Sequence, residues 1–247
     1  MKESGLRKSF DHLAPVYRLL EYLTMGRALE QVRCRHLADL VDQRRVLIIG
    51  EGDGRFLELL LQHNRCGEIT VVERSPKMVA LCRQRINAHA RTRNVEFLIR
   101  DAPQACAMLR QRGERFDAIV TLFVLDCFQG RELDTLTQQL AELLRPGGLW
   151  VYGDFSIPSS PIARILATAW IGCLYHVFGW VTDIRAQRLE SPDPWLRNLH
   201  LEPLTERLYN LGMLRAALWR RPTSERPNAV TGAQLGDQQK ETERSSA

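Results

Sequence analysis

No two of the six cysteines, Cys34, Cys66, Cys82, Cys106, Cys127 and Cys173, form a CxxC pair, and no histidine cluster has zinc spacing. That argues against a zinc module or a dithiol redox motif and leaves reduced, mostly buried thiols of a cytoplasmic protein. No run of five or more like charges occurs, although the net charge is +5. Scattered Lys and Arg read as an ordinary solvated surface that permits an anionic partner without requiring one. The opening stretch, MKESGLRKSFDHL, lacks an apolar segment of signal-peptide length. Internal repeats are absent, as is a separate RNA-binding module or basic-aromatic patch. Nucleic acid is therefore not the expected partner.

What is present is 247 residues with a hydrophobic fraction of 45%, enough for one sizeable core. From residue 46 to about 156, strand and helix signals alternate. Val46 to Ile49 is a short apolar run closed by glycine, as in a buried parallel strand. Arg55 to His63 has helical periodicity. Ile69 to Val72 is a second strand, and Ser75-Pro76 opens a helix reaching about Ala90, with Ser as cap and Pro at the first helical position. Val95 to Ile99 and Phe116 to Phe123 are further strands. Glu132 to Leu144 is a helix stopped by Arg145-Pro146-Gly147-Gly148, and Leu149 to Asp154 is a fifth strand. Alternation of this kind builds a parallel sheet covered by helices on both faces. Leu201 to Tyr209 and Met213 to Trp219, flanking Asn210-Leu211-Gly212, read as a hairpin that completes the sheet with an antiparallel strand.

Residues 1–45 are expected to form a helical cap, with helices around 17–24 and 27–40. The domain proper spans 46–221 and carries a helical insert at about 157–199. Residues 222–247 have no periodicity and almost no large apolar residue, the composition of a disordered tail.

Gly50-Glu51-Gly52-Asp53-Gly54 lies between the first strand and the first helix of the domain, where doubly wound folds bind ligands. Glycines there let backbone approach a ligand and tolerate positive φ. A dinucleotide fingerprint places its third glycine at position 55, which here is Arg55. A pyrophosphate at a helix N-terminus also fits poorly with two acids in the loop. Glu51 and Asp53 suit a ligand carrying an ammonium and a sulfonium. Glu73 follows the second strand, 19 residues beyond Gly54, where an acid accepts both hydroxyls of a ribose.

These segments, VLIIGEGDGRFL (46–57), VVERSPKM (71–78), RDAPQ (100–104), FDAIVTLFVLDCF (116–128) and LRPGGLWVYGDF (144–155), together resemble the class I S-adenosylmethionine (SAM)-dependent methyltransferases over residues 44–156. FDHLAPVY (10–17) is similar to the first helix of the quinone- and small-molecule-type members. The resemblance implies an α/β, doubly wound, Rossmann-like sheet of seven mostly parallel strands with an antiparallel C-terminal hairpin, in three αβα layers. It implies SAM as cofactor, S-adenosylhomocysteine (SAH) as product, and no metal. Gly50, Gly52 and Gly54 would line the methionine side of SAM. Glu73 would hold the ribose and Met78 would pack near the adenine. Asp101 would accept from the adenine amine, with Ala102 offering backbone. Thr121, Leu122 and Phe123 would floor the sulfonium, and Phe10 and Tyr17 would close the pocket. One departure stands out: members often carry an acid two residues before the first loop glycine, and here that residue is Ile48. Glu51 is the candidate replacement.

Methyl transfer from an activated sulfonium relies largely on positioning. A general base is needed only where the acceptor must lose a proton. Candidates are Asp126, Asp154 and His176, each with a capping or hydrogen-bonding role as the alternative. The run from Ile162 to Val181 is apolar and aromatic, carrying Trp170, Tyr175, Phe178 and Trp180. Three readings stay open: a lid or core helix, a surface helix docked on a membrane, or a dimer interface. Arg164, Arg185 and Arg188 suit lipid phosphates on the second reading. A small apolar acceptor of quinone, lipid or secondary-metabolite type follows, in a monomer or homodimer. The alternatives are a non-catalytic SAM-fold subunit and a nucleic-acid or protein methyltransferase. The latter lacks support, since Leu125-Asp126-Cys127-Phe128 stands where an Asn-Pro-Pro-Tyr-type motif would lie.

Overall fold

The computed structural model describes residues 27–63, 67–87, 94–158 and 190–223. Seven strands form one sheet in the order β3-β2-β1-β4-β5-β7-β6. They are β1 (Arg45–Ile49), β2 (Glu68–Val72), β3 (Val95–Leu98), β4 (Phe116–Leu122), β5 (Leu144–Phe155), β6 (Glu202–Tyr209) and β7 (Leu214–Arg220). Pairs β1–β2, β2–β3, β1–β4 and β4–β5 are parallel. Strand β7 runs antiparallel to both β5 and β6, so it alone is reversed. The sequence-based sheet and its closing hairpin are found as expected.

Helices α1 (Arg27–Cys34), α2 (Arg55–His63) and α3 (Pro76–Ile86) lie on one face, and α4 (Ala102–Gln111), α5 (Gly130–Leu143) and α6 (Asp193–Asn198) on the other. Alternation along β1 divides the core. Val46 and Ile48 pack with Phe56, Leu57 and Leu60 of α2, whereas Leu47 and Ile49 pack with Leu109 of α4 and Leu136 and Leu140 of α5. Both faces of each central strand are thus buried, which is why those strands read as continuous apolar runs.

Three boundaries and one helix assignment differ from the sequence reading. Helix α1 ends at Cys34, with a separate 3-10 turn at Ala38–Leu40, where one helix over 27–40 was expected. Helix α3 opens at Pro76, with Ser75 Oγ accepting from Met78 N at 3.2 Å, but it ends at Ile86 rather than near Ala90. Asn87, a weak helix former, holds the cap position there. Strand β5 begins directly after α5, at Leu144, because Gly147 and Gly148 exchange backbone hydrogen bonds with Arg221 across the sheet. Helix α4 had no sequence assignment. Its buried residues are chiefly small, Ala102, Ala105 and Cys106, and give a faint apolar stripe.

The first 26 residues, the segment 159–189 and the tail from 224 lie outside the described residues. The readings made for Phe10, Tyr17, His176, the 162–181 run and the tail fall there.

Candidate active site

Strand order reverses between β1 and β4, the switch point at which doubly wound sheets take their ligands. Two loops meet there. After β1, Gly50, Gly52 and Gly54 adopt φ of +71°, +70° and +89°. A Cβ on Gly54 would lie 2.7 Å from Cys82 Sγ and 2.9 Å from Cys82 Cα, so α3 approaches closely. A Cβ on Gly50 would strike Val124, in the loop after β4. A Cβ on Gly52 would meet nothing within 4 Å. Gly50 and Gly54 therefore bring elements together, while Gly52 faces open space.

Glu73 directly follows β2 and is buried. Its Oε2 accepts from Gly52 N at 3.1 Å and its Oε1 from Ser75 N at 2.9 Å. This carboxyl ties the glycine loop to the N-terminus of α3, and each oxygen keeps a further lone pair for a ligand hydroxyl. Burial pushes its pKa up, while the backbone donors at Ser75 and Gly52 pull it down. Met78 is half-buried in the first turn of α3. Asp101, at the start of α4, is exposed and lies 3.5 Å from Arg74 Nε, and Ala102 beside it is buried.

The two loop acids separate. Asp53 accepts from Arg55 Nε at 3.2 Å and Arg85 Nη2 at 3.0 Å, while Arg85 Nε also donates to the Asp53 carbonyl at 2.9 Å. Its charge is spent on holding α2 and α3 together. Glu51 accepts from Leu57 N at 2.9 Å, in the first turn of α2, and burial pushes its pKa up to about 8 against the opposing charge of Arg33. Arg85 and Arg33 were not identified from sequence. Their roles arise from contacts 32 and 18 positions away, which no local motif announces.

After β4, Thr121 turns its side chain into the core, where its Oγ1 accepts from Trp150 Nε1 at 2.9 Å. Only its backbone remains for a ligand. Leu122 is buried on the opposite face. Phe123 bends the chain with φ of +59°, donates its N–H to Gly153 O at 2.7 Å, and sets its ring 5.7 Å from that of Phe155.

The carboxyl of Asp126, beyond the end of β4, meets that of Asp154, the last residue but one of β5. Asp154 Oδ2 accepts from Asp126 N at 3.0 Å and Oδ1 from Phe155 N at 3.0 Å. Burial raises both pKa values, and the charge of Asp126 raises Asp154 further. Cys127 Sγ lies 3.5 Å from Asp126 Oδ1. Two like acids in one desolvated place favour holding a single negative charge between them. Arg215, opposite Asp154 in the β5–β7 register, lies over the Tyr152 ring at 5.5 Å and reaches Asp193 at 2.7 Å and Glu206 at 3.1 Å.

A separate cleft of about 710 Å³ lies on the α4–α5 side, lined by Arg110, Arg115, Glu142 and Arg221. It contains none of the residues above. Arg110 pairs with Glu142 at 2.6 Å, and Arg221 donates to the carbonyls of Ala141 and Leu144. Among the described residues no group of His, Cys, Asp or Glu is arranged to hold a metal, and no helix is long and apolar enough to cross a membrane.

Residues 46–148 match the family model for a methyltransferase domain. A polyamine aminopropyltransferase of Pectobacterium atrosepticum is 31% identical over 123 residues, 44% of this chain and 39% of its own. A carboxy-S-adenosyl-L-methionine synthase of Escherichia coli is 23% identical over 164 residues, 64% of this chain and 62% of its own. The chain thus spans less than two thirds of either curated relative. In fold it is similar to the N-methyltransferase NodS of Bradyrhizobium japonicum, solved also with SAH. The TM-score is 0.55 at 21% identity, covering 78% of this chain and 97% of that one. Residues 46–148 are thus similar to a methyltransferase domain, and the described residues share the fold of a solved methyltransferase.

Proposed function

We propose that the chain transfers a methyl group from SAM to a small, apolar acceptor of quinone, lipid or secondary-metabolite type. The observation that carries the cofactor is the closure of the GxGxG loop on Glu73. Positive-φ glycines open a space over Gly52, and the carboxyl that bonds Gly52 N sits at its rim. In this reading Glu73 takes the ribose hydroxyls. Met78, Asp101 and Ala102 surround the adenine, and the backbone of Thr121 with Leu122 and Phe123 lies under the sulfonium.

When bound, SAM would supply an electrophilic methyl carbon for the acceptor's nitrogen, oxygen or carbon, with its sulfur as the leaving group and SAH as the product. The chain's own part is to hold the reacting groups in line and, for an acceptor that must lose a proton, to take it. Asp126 and Asp154 stand on the acceptor side of the crevice as the candidate pair for that proton. The half-buried rings of Phe123 and Phe155 support an acceptor of low polarity. His176, Phe10, Tyr17 and peripheral membrane contact through 162–181 remain proposals from sequence.

Isothermal titration tests the cofactor assignment. Micromolar binding of SAM and SAH, no binding of NAD, and loss of at least tenfold in a Glu73→Ala variant are expected, since about 1.5–3 kcal/mol attends a charged hydrogen bond. A folded protein that binds neither SAM nor SAH would overturn the assignment.

A further inference from the structure

At the end of the sheet opposite the crevice, the cleft of about 710 Å³ opens where α4 and α5 finish. That volume lies within the usual range of small-molecule sites, about 300–1,000 Å³. Ala107 and Arg110 line it from α4, at the spacing that puts residues on one helix face. Arg115 comes from the turn before β4, and Arg221 directly follows β7. Three guanidinium groups thus face one carboxyl, that of Glu142 on α5. Arg110 takes that carboxyl at 2.6 Å, so the lining keeps two positive charges. Arg115 Nη1 bonds the carbonyl of Glu114 at 2.8 Å and meets no carboxyl among the described residues. The acids nearest to it in sequence, Glu114 and Asp117, are held by Arg45, Arg112 and Arg145. Arg221 spends only Nη1 on the carbonyls of Ala141 and Leu144, at 2.8 and 2.6 Å. Helix C-termini disfavour an anion through their last carbonyls. Here Arg221 covers those of α5, and backbone N–H groups of Arg112, Gly113 and Glu114 cover those of α4.

We propose that this cleft is a second binding site, which takes a small organic phosphate, its phosphoryl group held by Arg115 and Arg221 and its body laid along Ala107 and Pro146. Two unmatched guanidinium charges call for a dianion, and a phosphate monoester near neutral pH carries close to two charges. The planar fork of arginine donates parallel hydrogen bonds to phosphate oxygens. Ala107 and Pro146 are exposed and leave apolar ground beside the charges, which suits a ligand with an organic body. The site is separate from the methyl-transfer crevice and shares no residue with it, so it does not rest on the cofactor assignment.

Isothermal titration with phenyl phosphate tests this, with phenol and inorganic phosphate as controls. Wild type should bind a single phenyl phosphate with a Kd of about 1 mM or tighter, inorganic phosphate more weakly, and phenol not measurably. Arg115→Gln should weaken phenyl phosphate about fivefold or more, and Arg115→Lys should recover part of the loss. Ala107→Glu adds a carboxyl to the same wall and should weaken it to a similar degree. Both positions are exposed, so melting temperatures close to that of wild type check that the variants fold. Arg221 also caps α5 and is left intact for that reason. Absence of binding at about 10 mM phenyl phosphate, or an affinity that both Arg115→Gln and Ala107→Glu leave unchanged, would overturn the site. Equal affinity for inorganic and phenyl phosphate would overturn the organic body assigned to the ligand.

Discussion

Three glycines in one loop carry different loads. Gly54 has φ of +89° and the backbone of Cys82 at the distance a Cβ would need, so Gly54→Ala should destabilise by about 2–4 kcal/mol from strain and overpacking together. Gly52 has similar φ and open space, so Gly52→Ala should lower stability by only about 1 kcal/mol while weakening SAH through the methyl it places over the loop. Melting temperatures and SAH titrations of the two variants measure this contrast, and equal loss of stability would contradict it. The glycines and Glu73 were legible because their spacing is local. The division of work between Glu51 and Asp53 was not, because it depends on Arg85 arriving from α3.

At the scale of elements, α6 is a short helix held to the sheet by charge. Arg215 on β7 reaches Asp193 at 2.7 Å and Ser191 Oγ at 3.3 Å, and Glu190 Oε2 accepts from Gly130 N at 2.9 Å at the start of α5. These contacts fix the described end of the segment that returns from the insert, close to the Asp126–Asp154 pair. Arg215→Met keeps much of the apolar stem and removes the fork. It should speed amide hydrogen exchange over 190–201, with a local loss of about 1–3 kcal/mol, because Asp193 loses its partner. Exchange measured by mass spectrometry checks this, and unchanged protection would count against the clamp. Helix α2 and the α3 cap were readable from periodicity and from Ser75-Pro76. Helix α4 was not, since small residues bury without a strong apolar pattern.

Across the molecule, two buried acids, Glu73 and Asp154, and two half-buried ones, Glu51 and Asp126, bear on stability. Burial holds the pKa of Glu51, Glu73, Asp126 and Asp154 above the usual carboxylate range, reaching about 8 for Glu51. Between about pH 4 and these raised values, the folded chain keeps protons that the unfolded chain has lost. Their contribution is therefore fully present below about pH 4 and is lost as pH rises through the folded values. Melting temperature should fall between pH 5 and 8, and Glu51→Gln should gain on wild type as pH rises across that window. A constant difference between the two proteins would refute the role assigned to Glu51.

The sequence by itself determined the strand-helix alternation, the GxGxG loop, the acid after β2 and the closing hairpin. Each of these is written in residues a few positions apart, where backbone periodicity, capping and glycine freedom act directly. Only the tertiary structure decided that β7 is the single reversed strand, that Thr121 turns inward to Trp150, and that Asp126 and Asp154 meet. It also gathered Arg110, Arg115 and Arg221 around one cleft. Those outcomes depend on strands distant in sequence lying side by side, and on which face of each strand the core claims.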